Sequence, residues 1–190
     1  LGAANTTTTR IRNAWTWETS TGHKRYLRFY DDELEVYLGT IGGVAINAWT
    51  RVRDAWSTSE MARAATWWNT TENLDMFLVV NGDANIYEWN GAVATVASIT
   101  GTTITKNGAN TWAQDRFYTA GNKTLINTRT GTEYVYTGGE TTSALTGIAD
   151  TAGIIAGDIL IQKMVTRSNV PAASRANNYI YSFENQIVIG

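Results

Sequence analysis

Met76-Phe-Leu-Val-Val-Asn-Gly-Asp-Ala-Asn-Ile-Tyr-Glu-Trp-Asn-Gly91 holds two β-rich runs around the polar triplet Asn81-Gly82-Asp83. Asn-Gly accepts the positive φ angles that a tight hairpin turn demands, so this stretch predicts paired strands with a tip at 81–83. Two other stretches have the same form. One is Tyr26-Leu-Arg-Phe-Tyr30, the turn Asp31-Asp32-Glu33, then Leu34-Glu-Val-Tyr-Leu38; the other is Tyr179-Ile-Tyr-Ser-Phe183, the turn Glu184-Asn185, then Gln186-Ile-Val-Ile189. The hairpins at Leu27 and Phe77 are about 50 residues apart and those at Phe77 and Tyr179 about twice that, a spacing in the range of β-propeller blades with one interval carrying an insertion. The expected fold class is therefore all-β: propeller-like antiparallel hairpin repeats, incomplete or a fragment, with a small inserted β-subdomain.

The insertion is placed at 100–161, where Thr and Gly become frequent and turn signals crowd at Asn107-Gly108, Gly121-Asn122, Gly131, Gly138-Gly139 and Gly147. Short β-prone runs lie between them at 102–105, 116–119, 124–127, 133–137 and 158–161. Residues 1–99 and 162–190 then form the propeller-like β-domain. In the stretch 57–68, Ser57 and Glu60 have capping-box spacing, and Met61, Ala64, Ala65 and Trp68 suit a helix. The alternation Met61, Arg63, Ala65, Trp67 suits a strand, and a strand is what a blade needs before its central hairpin. Residues 45–56 read as the outer strand of the preceding blade.

Composition narrows the function. The 190 residues are 43% hydrophobic, enough for a real core, and 11% aromatic with a single proline, Pro171, which favours twisted strands and tight turns. Fifteen basic and 17 acidic residues give a net charge of -2 with no long run of either sign, so nucleic acid is not an expected partner. Without cysteine there is no disulfide, thiolate metal site or Cys nucleophile. No apolar stretch approaches the roughly 20 residues that span a bilayer as a helix, so no membrane partner is expected. The first residue is Leu1, and Gln186-Ile-Val-Ile-Gly190 reads like a strand cut off in its course, which suggests a fragment of a longer protein.

Residues 104–118 (Ile104-Thr-Lys-Asn-Gly-Ala-Asn-Thr-Trp112-Ala-Gln-Asp-Arg-Phe-Tyr118), then Gly131-Thr-Glu-Tyr134-Val-Tyr-Thr-Gly138-Gly139, Leu145-Thr-Gly147 and Ala156-Gly157-Asp158, resemble segments of tailed-phage and prophage virion proteins. With the hairpin at 77–91, the chain is similar to propeller-like structural proteins of phage tails and necks over roughly 56–190. These motifs are structural punctuation and bring no catalytic residues. The resemblance implies a structural component of the virion (tail, neck or fibre region) that contacts other virion proteins in several copies of a symmetric assembly. An incomplete propeller leaves open strand edges that invite such partners.

The sequence offers little chemistry. The sole histidine, His23, lies in the polar run Ser20-Thr-Gly-His-Lys-Arg25 and reads as a surface residue, since no carboxylate pattern or second His accompanies it. Asp31-Asp32-Glu33 lacks the glycine and distal glutamate of a calcium loop and the matched acid of a glycosidase, so it reads as a solvated turn, as do Asn81-Gly82-Asp83 and Asp115. No phosphate-cradling glycine loop is present. No catalytic, cofactor or metal site is expected. The compositional oddity is eight tryptophans, Trp15, Trp17, Trp49, Trp56, Trp67, Trp68, Trp89 and Trp112. Such residues fill cores, anchor subunit interfaces or stack on sugar rings, so a host-surface glycan-binding module is the alternative reading.

Overall fold

The computed structural model describes residues 11–54, 56, 62–70, 73–81, 85–117 and 123–167, and the backbone of 180–183 and 186–189. Every strand pair among them is antiparallel and no helix occurs. The first sheet is a meander of β1 (Ile11–Glu18), β2 (Lys24–Tyr30), β3 (Glu33–Ile41) and β4 (Val44–Arg53) in that spatial order. A second sheet, in the order β14-β7-β6-β5, contains β5 (Arg63–Asn69), β6 (Leu74–Val80), β7 (Tyr87–Trp89) and β14 (Val165–Thr166). Between β7 and β14 the chain makes a six-stranded sheet of β8 (Val93–Thr100), β9 (Thr103–Lys106), β10 (Thr124–Asn127), β11 (Glu133–Val135), β12 (Ala144–Leu145) and β13 (Ile159–Gln162), ordered β11-β10-β13-β8-β9-β12. β15 (Ile180–Phe183) and β16 (Gln186–Ile189) pair as a hairpin.

Alternation makes these strands. In β2 and β3, Leu27 and Phe29 together with Leu34, Val36 and Leu38 are all buried, while the residues between them face outward. The inner row packs on Phe77, Val79, Tyr87 and Trp89 of the second sheet, and Val93 and Ile161 of the six-stranded sheet join this core. The opposite phase of β8 and β13 puts Ala94, Val96 and Leu160 into a second core with Ile104, Trp112, Phe117, Leu125 and Tyr136. Because β8 and β13 are shared by both cores, the six-stranded sheet is not packed as a separate lobe. It also begins at Val93, ahead of the composition shift at Thr100. β8 reads as part of the preceding hairpin region because a strand buried on both faces shows a continuous apolar run rather than alternation.

The stretch 57–68 resolves as strand from Arg63 onward, while 57–61 lie outside the described residues. Hairpin β2–β3 has the expected tip, with Tyr30 opposite Glu33 and Asp31 at φ 55°. Asp is among the few side chains that tolerate this left-handed region, since a β-branched residue there crowds its own carbonyl. Asp31→Val should lower unfolding free energy by about 1–2 kcal/mol in urea titration. An unchanged midpoint would count against the turn.

Two expectations are corrected. A tip at 81–83 would set Val80 opposite Ala84, but the register sets Phe77 opposite Trp89 and Val79 opposite Tyr87, so the connection is longer. Gly82 and Asp83 themselves lie outside the described residues, as do Glu184 and Asn185 of the last hairpin. The run 116–119 does not begin a strand: Arg116 closes a turn at φ 73°, with its N–H donating to Ala113 O. The β-prone composition there is overridden by the burial of the Arg116 side chain in a polar network.

Candidate functional site

The eight tryptophans divide by burial. Trp17, Trp56, Trp89 and Trp112 are core residues, and Trp15, Trp49, Trp67 and Trp68 are half-buried. Trp17 stacks on Phe77 with ring centroids 5.6 Å apart, and its indole N–H donates to Asp75 Oδ2 at 2.7 Å. Trp15 meets the same Phe77 edge-on at 5.8 Å. Trp67 is covered by the Arg167 guanidinium at 3.8 Å from its ring centroid, and Arg167 pairs with Glu88 at 2.9 Å. Trp67 and Trp68 contribute with Trp17, Ser20 and Asp75 to the wall of a groove of about 390 Å³.

Trp49 belongs to a surface. The register of the first sheet lines up Thr16, Tyr26, Tyr37 and Trp49 across all four strands. Tyr26 is 48% exposed, the Tyr37 and Trp49 rings meet edge-on at 5.5 Å, and these residues line an open groove of about 470 Å³ with Ala14 and Thr16. Beside this row Arg28, Glu35 and Arg51 stand opposite one another on adjacent strands. The Arg28 guanidinium lies 4.3 Å from the Trp49 ring centroid and 4.6 Å from that of Tyr30, and its Nε pairs with Glu35 Oε2 at 2.5 Å. The result is a pre-ordered outer face of aromatic planes and paired charges, suited to stacking and hydrogen bonding.

A second concentration of polar groups lies where the first sheet meets the six-stranded sheet. His23 and Arg25 of the β1–β2 region, the β3–β4 turn Gly42-Gly43, Lys106, the stretch 108–110 and Asp115 line a cavity of about 280 Å³. Lys106 is fully buried and pairs with Asp115 at 2.7 Å, and His23 Nε2 is 4.0 Å from the same carboxylate. Burial, reinforced by the neighbouring Arg116 charge, lowers the Arg25 pKa to about 10. Burial also pushes the His23 imidazole below its usual range, with Arg25 adding to the effect, so His23 is neutral at pH 7. His23 keeps 30% of its side chain exposed, whereas the expectation of a solvated Asp115 is corrected: it pairs with buried Lys106 and comes together with His23 although they are distant in sequence.

Next to this cavity Arg116 is wholly buried and pairs with Asp75 Oδ1 at 2.9 Å. Its guanidinium also donates to the carbonyls of Asn90 and Asp75. Burial alone would raise the Asp75 pKa, but donors from the Ser20 hydroxyl and amide, with the Arg116 charge, hold it below the usual carboxylate range. Among the described residues, no group of three or more His, Cys, Asp or Glu is placed to hold a metal ion.

The strand pattern carried signals for several of these residues. Tyr26 and Arg28 occupy the outward phase of β2, and Tyr37 the outward phase of β3, so the face was legible beyond Trp49 itself. Arg25 stands in phase with Leu27 and Phe29, and Lys106 in phase with Ile104, so both are cations at positions where alternation calls for apolar side chains. No protein family, curated protein or solved structure matches the chain.

Proposed function

We propose that the chain is a non-enzymatic structural component of a tailed-phage virion, in its tail, neck or fibre region, and that it works through contacts with other virion proteins in a symmetric assembly. The two four-stranded sheets and the last hairpin are, in this reading, successive parts of a propeller-like array interrupted by the six-stranded sheet. Support for the array comes from the meander β1–β4, the second meander β5–β7 and the return of the chain to β7 through β14. The particle is suggested by the resemblance of 56–190 to virion segments.

The observation that carries the reading is the outer face of the first sheet. Tyr, Trp and Arg are the residues that dominate association energy when a partner covers them, and here Tyr37, Trp49 and Arg28 are already ordered by cross-strand contacts, with Tyr26 beside them in register. Trp49→Ala with Tyr26→Ala should weaken incorporation into particles by about 2 kcal/mol or more, roughly 30-fold, while the isolated chain still folds and loses only the cross-strand contacts, about 1 kcal/mol. Normal incorporation of that double variant would remove this face from the assembly.

The same groove also favours a second reading, a glycan-binding module, because aromatic planes flanked by an Arg–Glu pair are what a pyranose ring stacks and hydrogen-bonds against. A glycan array decides between them. Sugar binding lost in Trp49→Ala, in particles that assemble normally, selects the second.

A further inference from the structure

We propose that the cavity between the β3–β4 turn and the stretch 106–115 is a binding site for a small carboxylate monoanion. The site uses residues on neither the outer face nor its groove, so it stands or falls independently of the assembly role.

The first argument is charge. Two cations in the wall are buried, Arg25 at 5% and Lys106 at 3% exposure, and one carboxylate, Asp115, faces them. Asp115 is taken by Lys106 at 2.7 Å, with Asn110 Nδ2 donating to its other oxygen at 2.9 Å. The neighbouring Arg116 is matched by Asp75. Arg25 therefore has no carboxylate within ion-pair distance among the described residues: its Nε and Nη1 donate to the carbonyls of Gly91 and Lys24, which satisfies donors, and Asp115, already bound to Lys106, balances its charge only from farther away. A buried cation without a directly bound counter-charge is costly, and an incoming anion offsets that cost. His23, held neutral, adds no second charge. One excess positive charge suits a monoanion, and a dianion would leave charge of the opposite sign uncompensated.

The second argument is the backbone. Gly108 has φ 91°, and a side chain there would press on Gly42, whose own Cβ position is occupied by the Asn107 carbonyl. This close approach of two glycine turns makes the wall. Among the described residues, the backbone N–H groups of Gly108, Ala109 and Asn110 have no acceptor. Consecutive amides without internal partners in a glycine-bearing turn form the kind of concavity that binds anions. The planar, two-oxygen geometry of a carboxylate matches the Arg25 fork, whose Nη2 has no protein acceptor among the described residues. At about 280 Å³ the cavity admits a small organic acid or an acidic monosaccharide and excludes a peptide.

The test is an NMR titration of the chain, following amide resonances and the His23 ring, with sodium acetate and with glucuronate against sodium chloride and glucose at matched ionic strength. Saturable shifts at Gly43, Gly108 and Ala109 with the carboxylates alone, and a rise in the His23 pKa as the anion balances Arg25, are the expected result. Stronger binding of glucuronate assigns the site to sugar acids, and binding of acetate alone assigns it to small organic acids. Arg25→Gln should abolish the response. Because that variant changes a buried residue, Ala109→Asp serves beside it: position 109 is exposed on the cavity rim, and the added carboxylate should weaken binding about tenfold in a folded chain. Equal shifts with chloride or glucose, no shifts at all, or an Ala109→Asp variant that titrates like the parent would each overturn the proposal.

Discussion

Arg116→Met is expected to lower unfolding free energy by about 3–5 kcal/mol, the range for removing one partner of a buried ion pair. The side chain is fully buried at the junction of three parts of the fold: Asp75 precedes the second sheet's hydrophobic run, Asn90 follows β7, and Ser20 and Thr21 belong to the β1–β2 connection. Removing the guanidinium leaves Asp75 facing Ser20 without its cation and strands the Asn90 and Asp75 carbonyls that it serves. Asp75→Asn tests the same pair from the other side and should also destabilise, because Arg116 then stays charged and buried. The pair predicts a direction with pH as well. The native Asp75 pKa lies below its unfolded value, so its stabilisation is complete above that unfolded value near 4 and is lost as pH falls through the native value beneath it. Urea titrations at pH 7 and in the acid range measure both effects. A loss under about 1 kcal/mol in Arg116→Met at neutral pH would falsify the assignment of this pair as a clamp.

How much of this was legible in the sequence depends on the range of the interaction. Period-two alternation in 26–38 and the aspartate turn between them are local, and they give β2, β3 and their tip at residue resolution. The same pattern places Tyr26 and Tyr37 on one face, with Trp49 on the neighbouring strand. Phase errors in the pattern, Arg25 among Leu27 and Phe29 and Lys106 after Ile104, were the available signs of the cavity. What closes that cavity is not local. Lys106 meets Asp115 and His23 approaches it only because β8 and β13 pass beneath the first sheet and share its core, and a doubly buried strand such as β8 has no alternation to reveal it. Arg116 is the extreme case. A charged residue in a Thr- and Gly-rich stretch reads as solvated, and its burial follows from partners that come from Ser20, Asp75 and Asn90.

Trp89→Ala should match Arg116→Met in size, at about 3–5 kcal/mol, whereas Trp49→Ala should cost only about 1 kcal/mol, its cross-strand contacts. Trp89 is 1% exposed, sits opposite Phe77 in the register, meets Trp17 edge-on at 6.3 Å and donates its indole N–H to Gln162 O at 3.0 Å. That hydrogen bond ties the second sheet to the end of β13, where the chain leaves the six-stranded sheet. The ring cluster is closed from below by Gly91, at φ 80°, where a Cβ would come within 2.9 Å of the Trp17 ring. Backbone and rings on both sides limit collapse into the space an alanine would leave, so the cavity term adds to the lost transfer energy. Trp89→Phe keeps most of the apolar contact and removes the indole donor, and it should cost about 1–3 kcal/mol. Trp49 is half-buried on the outer face, so its removal opens no enclosed space and its effect belongs to association. Denaturant titration of the isolated chain and particle incorporation measure the two quantities separately. Should Trp49→Ala destabilise as much as Trp89→Ala, the outer face would be part of the fold's own support, and its role as a contact surface would fail.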